Sequence, residues 1–350
     1  MPSVCAYFQV HQPFRLRRFS FFDKSGDYFN SSLNREVIER VANRCYVPAN
    51  RELLKAIKAT RGKFKVAFSI TGTAIEQMRE YAPEALKSFQ DLARTGCVEF
   101  LAETYSHSLA SVYDPSEFRE QVLLHQDLMQ AEFRCRPRVF RNTELIYSDS
   151  IGAAVSDLGF KAVLAEGVDD VLGWRSANNV YQVVGRDLAL LVKNYSLSDD
   201  IAFRFATSGE GGNRLTPQVF AARMRERVHG DDVIGLFLDY ETFGACVLSD
   251  SAWRFVTPSE AIQRHKSAGE LSYPRYTSWA DSERDLSAWS GNEIQRKALE
   301  AVYSYAPRTE EAKRVWRQLQ TSDHFYYMAT KGAADGSVHS YFSPFESPYE

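Results

Sequence analysis

Paired cysteines are missing from this chain. Its five cysteines, Cys5, Cys45, Cys97, Cys135 and Cys246, are dispersed with no C-x-x-C pair. That pattern argues against a disulfide framework and against structural zinc. A basic field is missing too: 42 Lys and Arg against 45 Asp and Glu leave a formal net charge of −3. Nothing in that balance would hold nucleic acid or an anionic membrane. No stretch approaches the roughly 18 apolar residues of a membrane span. The opening "MPSVCAYFQVHQP" has neither the charged n-region nor the long apolar h-region of a signal peptide. A soluble, cytoplasmic protein is the expectation. G-x-G-x-x-G, P-loop and G-x-S-x-G signatures are also lacking. The glycines of "GEGGN" (209–213) precede no clear strand-to-helix turn and read as a loop.

What is present is a 350-residue globular mix, 44% hydrophobic and 25% charged, enough for one large domain with a substantial core. Aromatics reach 13%, with 18 Tyr and 23 Phe, which suits either an aromatic core or a ring-lined cleft. Short β-rich runs recur at 4–10, 63–70, 97–102, 138–143, 160–165, 188–194 and 233–239. Several are continuously apolar, as strands buried on both faces should be. Helix-like stretches fall between them at 37–59, 74–95, 116–133, 149–158 and 217–229. Pro217 after Thr216, and Pro115 after Asp114, supply helix-start signals. Strand alternating with helix predicts a parallel sheet with right-handed crossovers. An α/β fold of the (β/α)7 barrel kind is favoured over an open doubly wound sheet. The reason is that chemistry-bearing residues fall at the C-terminal ends of several different strands.

After the seventh strand the pattern changes. Thr257 and Glu260 in "TPSEAI" form a capping box. An irregular stretch rich in Ser, Trp and Tyr follows (267–290), then two helices. Ile294, Ala298, Ala301, Val302 and Tyr305 form a stripe on the first, and Ala312, Val315, Trp316 and Leu319 on the second. The expected organisation is a catalytic barrel over 1–265 and a helical lobe over 266–350 packed against it. The final "SPFESPYE" brings no closing element and reads as cut short of a natural end.

The strand tips carry the chemistry. In order they offer His11 and Gln12, "SITGT" (69–73), Glu103 and His107, Asn142 and Glu144, Glu166, and Asp239 with Glu241. One acidic tip is an ordinary solvated turn; five tips with acids or histidine at one end of one barrel converge on the face where such barrels hold active sites. Two reaction classes fit. A carboxylate pair could flank a glycosidic bond, or His11, His107 and an acid could bind a catalytic metal. The histidines lack H-x₃-H or H-E-x-x-H spacing, so each reads better as a hydrogen-bonding group for substrate than as a ligand.

"FQVHQPFR", "FRNTELIYSD" and "FLDYETFG" resemble three signature regions of glycoside hydrolase family 57. "SWADSERDLSAWSGNEIQRKAL" (278–299) and "SDHFYYMATKGAADGSVHSYFSPFESPYE" (322–350) resemble its α-amylase-type branch. The resemblance runs in order over nearly the whole chain. It implies a (β/α)7 barrel with a C-terminal helical lobe and retaining hydrolysis of α-glucans or maltooligosaccharides. Its nucleophile would be Glu144 and its acid/base Asp239, with His11 among the sugar-binding residues. It implies no catalytic metal, and no cofactor is expected.

That assignment also makes physical sense. A retaining glycosidase needs one ionised and one protonated carboxyl roughly 5–5.5 Å apart, and two strand ends facing across a barrel mouth can supply them. Burial or the neighbouring nucleophile would raise the acid, with Tyr240 and Phe243 giving Asp239 an apolar setting. Arg141 and Asn142 are the candidate donors to Glu144. Sugar rings present apolar faces to aromatics, and Trp174, Tyr240, Phe243 and Trp279 are the candidates, with Asp281 for hydroxyls. Gln12, Glu103 and His107 complete the expected substrate-binding set. After "DYETFG" the α-amylase-type branch usually carries a Glu-His-Gln type segment, whereas this chain has "ACVL" (245–248). The change bears on the subsite beside the acid/base. It keeps open a 4-α-glucanotransferase and a weakly active glucan-binding relative, besides a metal-dependent deacetylase or α-mannosidase on a similar barrel.

Overall fold

The computed structural model describes residues 2–19, 22, 26–204, 215–228, 233–242, 254–331 and 343–349. The apolar runs form strands β1 (Ser3–Val10), β2 (Val66–Ile70), β3 (Val98–Leu101), β4 (Val139–Arg141) and β5 (Ala162–Glu166). They continue as β6 (Val180–Val183), β7 (Ala189–Lys193), β8 (Val233–Asp239), β9 (Arg254–Phe255) and β10 (Glu270–Leu271). β1, β2 and β3 pair in parallel, and the bridge Ala102↔Phe140 carries the sheet on to β4. β4 pairs β5, β5 pairs β7, β7 meets β8, and β8 pairs β1 again, all in parallel. Seven parallel strands therefore close a barrel, and they are the seven runs read from the sequence. The three short additions were not expected: β6 folds antiparallel onto β7, while β9 and β10 add beside β1 and β6.

The β7–β8 seam is narrow, with the single register pair Lys193↔Gly235. A Cβ at Gly235 would lie 2.7 Å from the Val192 carbonyl oxygen, so only glycine admits this approach.

Helices cover the outside. Ser31–Val41 and Val47–Ala59 flank the π-turn Ala42–Tyr46, and the first begins before the expected 37 because Asn30 caps Leu33. The stretch expected as one helix at 74–95 is two, Gly72–Tyr81 and Pro83–Ala93, since Pro83 starts a new helix after the non-helical Ala82. Asp114 caps Pro115–Phe133 with Pro115 in its first turn, and the Thr257–Glu260 capping box is present. No helix of the described residues is long and apolar enough to cross a membrane.

Alternation along each strand sorts residues between two environments. Outward-facing Phe8, Val10, Phe68, Leu236 and Leu238 pack beneath helix residues Ile38, Tyr46, Leu53 and Met78. Phe140, Val163 and Val192 do the same with Val122, Ile151 and Trp289. Inward-facing Cys5, Tyr7, Ala67, Leu101, Val139, Leu164, Leu191 and Phe237 fill the barrel. Two residues further along each strand, the same inward face carries Gln9, Ser69, Glu103, Arg141, Glu166, Lys193 and Asp239. The apolar plug is thus topped by a layer to which every strand contributes one polar side chain.

Helices Glu293–Ser304 and Glu310–Leu319 follow in the C-terminal part. Ala298 and Val302 of the expected stripe turn inward, but Ile294, Ala301 and Tyr305 face solvent, and Gln295 and Leu299 take the buried places. The helix is rotated because Gln295 donates to the Ala288 and Phe325 carbonyls at 2.7 and 2.9 Å. Bridges Ser108↔Thr321 and Tyr147↔Thr277 fasten this part to the C-terminal end of the barrel strands.

Candidate active site

Beyond β4 the chain enters a short 3-10 turn, Thr143–Leu145, in which Glu144 adopts φ 54° and ψ 25°. A left-handed glutamate costs of order 1–3 kcal/mol and persists only where its surroundings over-determine it. Here Asn142 Nδ2 donates to the Ile146 carbonyl and to Ser111 Oγ, both at 2.8 Å, and Trp279 N donates to the Glu144 carbonyl at 3.2 Å. The turn aims the Glu144 carboxylate into the mouth, where its side chain is 17% exposed. Oε1 meets His107 Nε2 at 2.9 Å and Ser322 Oγ at 3.4 Å, and Oε2 accepts from Trp279 Nε1 at 2.6 Å. Burial pushes this carboxyl up, but the bond and charge of His107 and the charge of Arg141 outweigh it. Glu144 is held below its ordinary range. The donors differ from those expected: Asn142 is spent on the turn, and Arg141 bonds Glu103 at 3.4 Å and Gln9.

Asp239 ends β8 in register with Gln9, half-buried. Burial and the charges of Glu241 and Glu144 raise it against Arg141 and His107, from 3.8 to about 8. Two carboxyls in one mouth are therefore driven in opposite directions. Glu241 accepts from Tyr46 Oη at 2.5 Å and from Gln12 Nε2 at 3.2 Å, and Gln12 Oε1 accepts from Arg15 at 2.8 Å.

His11 and His107 stack with ring centroids 4.0 Å apart and planes 24° apart. His11 Nδ1 meets Thr71 Oγ1 and Nε2 meets Asp323 Oδ2, each at 3.0 Å. Burial and the charge of His107 lower His11 despite Asp323, whose own carboxyl His11 draws far down against the effect of burial. The Asp323 carboxylate accepts, so His11 Nε2 carries the hydrogen of that bond. His11, His107 and Asp323 present possible ligand atoms within 4.8 Å of one another. Stacked imidazoles direct their in-plane lone pairs side by side rather than toward a common point, and all four ring nitrogens are already engaged. This trio does not fit a metal.

Several expected substrate contacts lie elsewhere. Glu103 and His107 have no exposed surface and are saturated by protein partners, so they cannot reach a sugar hydroxyl. Tyr240 is a core residue: one step beyond inward-facing Asp239 it points outward, packs on Phe8, Phe68 and Phe89, and donates to Asn50 Oδ1 at 2.6 Å. Trp174 is 91% exposed in the segment after β5, with the Arg175 guanidinium over its ring. Asp281 accepts from Tyr326 Oη at 3.2 Å and Lys331 at 3.4 Å, so it ties the loop. Glu166 is ion-paired with Lys193 and Arg284 at 3.0 and 3.2 Å. Trp279, His11 and Gln12 are at the mouth. Phe243, Cys246, "ACVL" and "GEGGN" lie outside the described residues. Sequence reasoning missed Ser322 and Asp323; their one signal was the stretch "SDHFYY".

One carboxyl held low and another held high in the mouth of a seven-stranded barrel are what acid/base cleavage of a glycosidic bond requires. The model of Glycosyl hydrolase family 57 matches residues 6–256, and the chain belongs to that family. A protein of Methanocaldococcus jannaschii described as "Putative alpha-amylase" is 37% identical over 381 residues, covering 98% of this chain and 80% of that one. The branching enzyme of Thermococcus kodakaraensis is similar in structure at 13% identity, with TM-score 0.69 over 97% of this chain and 87% of that one. The 4-α-glucanotransferase of Thermococcus litoralis matches at 15% identity and TM-score 0.64 over 93% of this chain. This chain spans about half (51%) of that enzyme's length. Likeness at such identities concerns the fold.

Proposed function

We propose that this protein is a retaining glycosidase acting on α-1,4-glucans, with Glu144 as nucleophile and Asp239 as acid/base. The observation that carries the reading is the divergence of the two carboxyls, Glu144 below its ordinary range and Asp239 raised to about 8. Environments that push two titratable groups apart mark the acid and the base. α-Glucan is the substrate class shared by the names amylase, glucanotransferase and branching enzyme among the relatives.

In the first step a Glu144 oxygen bonds the anomeric carbon as the glycosidic C–O bond breaks, and the Asp239 proton passes to the leaving oxygen. The negative charge has then moved from Glu144 to Asp239. With the Glu144 charge gone, one of the groups that raised Asp239 vanishes, and Asp239 is suited to act as a base. In the second step a water oxygen bonds the anomeric carbon, its proton goes to Asp239, and the bond to Glu144 breaks. Trp279 lies beside Phe237, ring centroids 4.7 Å apart, where it offers an apolar face as well as its donor.

The test is a product time course on maltoheptaose after exhaustive chelation, comparing the wild type with Glu144→Ala and Asp239→Ala. Shorter maltooligosaccharides from the wild type alone are expected; products longer than the substrate identify transfer to a sugar acceptor. Saturable binding without turnover in the wild type overturns the reading, and loss of activity on chelation points to the metal-dependent class.

A further inference from the structure

The proposed chemistry uses Glu144 and Asp239 but leaves unexplained a buried chain of charges beneath the nucleophile. Glu103 and His107 stand four residues apart at the turn after β3, and His107 adopts φ 53° there. The Glu103 carboxylate accepts from Ser69 Oγ at 2.7 Å, from His107 Nδ1 at 3.0 Å and from Arg141 at 3.4 Å. The opposite ring nitrogen of His107 faces Glu144 Oε1 at 2.9 Å. His125 closes the far side, with Nε2 at 2.8 Å from the Ile70 carbonyl and Nδ1 accepting from Glu103 N at 3.4 Å. The His107 carbonyl accepts Ser322 N at 2.9 Å, so the same turn also holds the residue whose hydroxyl reaches Glu144.

We propose that His107 is a positioning residue for the nucleophile, kept as a permanent cation by Glu103, so that it orients Glu144 and stabilises its carboxylate again as that leaves the sugar. The inference rests on the assignment of Glu144 as nucleophile. An imidazole with a carboxylate on each nitrogen is a double donor. Once Glu144 has become an ester, a cation paired with it alone would be stranded in a buried site, which is costly. Glu103 removes that cost, because His107 keeps its anionic partner at every stage. Among these four groups the charges cancel: Glu103 and Glu144 offset His107 and Arg141 in the resting site, and Asp239 takes over the negative charge when Glu144 is esterified. Around His107 stand His11 from the β1 tip, Arg141 from β4, His125 from helix Pro115–Phe133, Asp239 from β8 and Asp323 from the C-terminal part. Burial opposes the His107 charge, and the bonds to Glu103 and Glu144 overcome it, giving a value of about 9. Glu103 itself is drawn down to about 2 by His107 and Arg141 against its burial.

Glu103→Gln keeps the shape and removes the charge. Expected are a kcat lower by about 10- to 100-fold, a KM changed little, and an acid limb of kcat/KM displaced upward by about one pH unit or more. A variant that melts earlier while its acid limb stays in place assigns Glu103 a structural role and overturns the proposal. If Glu103→Gln does not fold, the wild type decides: ¹⁵N imidazole NMR, assigned with His107→Gln, should find both His107 nitrogens protonated at neutral pH. A neutral His107 overturns the proposal. Trapping with a fluorinated maltosyl donor and peptide mapping checks the foundation separately. Label on a residue other than Glu144 refutes the nucleophile assignment and leaves the NMR result standing.

Discussion

Replacing Asp239 with Asn should make the protein more stable while it removes the proposed acid/base. In the folded protein Asp239 binds its proton up to about pH 8, against 3.8 as the ordinary value. Between those limits the native state holds a proton that the unfolded chain has released, so stability falls as pH rises. The group's contribution is intact below the unfolded value and lost progressively up to the folded one. Each unit is about 1.4 kcal/mol, giving a ceiling of about 4 kcal/mol lost at pH 7 and about 1.6 at pH 5. Asp239 is only half-buried, and solvent screening brings these to about 2 and below 1 kcal/mol. Asn is isosteric and never ionises, so it escapes the loss. Urea midpoints of wild type and Asp239→Asn at the two pH values measure it. The variant should unfold later, by a margin that widens from pH 5 to pH 7, with turnover reduced roughly 10²- to 10⁴-fold. A variant no more stable than wild type at pH 7, or a margin that does not widen, refutes the reasoning.

The pH profile of kcat/KM should be bell-shaped, rising below the ordinary carboxylate range as Glu144 ionises and falling near pH 8 as Asp239 loses its proton; an alkaline limb near pH 5 would contradict the assignment. Trp279→Phe keeps the ring beside Phe237 but deletes the 2.6 Å donor to Glu144. At about 1.5–3 kcal/mol for a bond to a charged group, kcat should drop about 10- to 100-fold, and unchanged steady-state kinetics would remove Trp279 from the site. Tyr240→Phe should cost about 1 kcal/mol through the lost bond to Asn50 and leave KM on maltoheptaose unaltered. A several-fold rise in KM would return Tyr240 to the sugar.

The seven barrel strands were readable because burial on both faces writes itself as continuous apolar runs. β6 was not: "VYQV" is a short hairpin arm with one half-exposed residue, and its pairing with β7 depends on contacts a local window does not contain. Glu144 and Asp239 were visible as polar breaks at strand ends. Tyr240 was misplaced although the clue was present: Phe237 and Asp239 share one face of β8, so Leu238 and Tyr240 must share the other. Glu103 and His107 were expected to touch substrate but are fully buried, and burial depends on which loops and helices cover a strand end, which spacing alone does not reveal. Ser322 and Asp323 join the site from a turn far along the chain, and only docking of that turn brings them there.

That docking has a consequence for the order in which the protein is made. The barrel strands are complete at Asp239, yet two groups that hold the nucleophile, Trp279 and Ser322, are synthesised afterwards. A chain emerging from the ribosome N-terminus first would carry Glu144 and Asp239, the proposed catalytic pair, well before two of the donors that aim Glu144. At that stage Glu144 would have His107 and the Asn142-braced turn, but not the donors Trp279 and Ser322. All three side chains bonded to the Glu144 carboxylate are in place only after the segment around Ser322 has been made and docked.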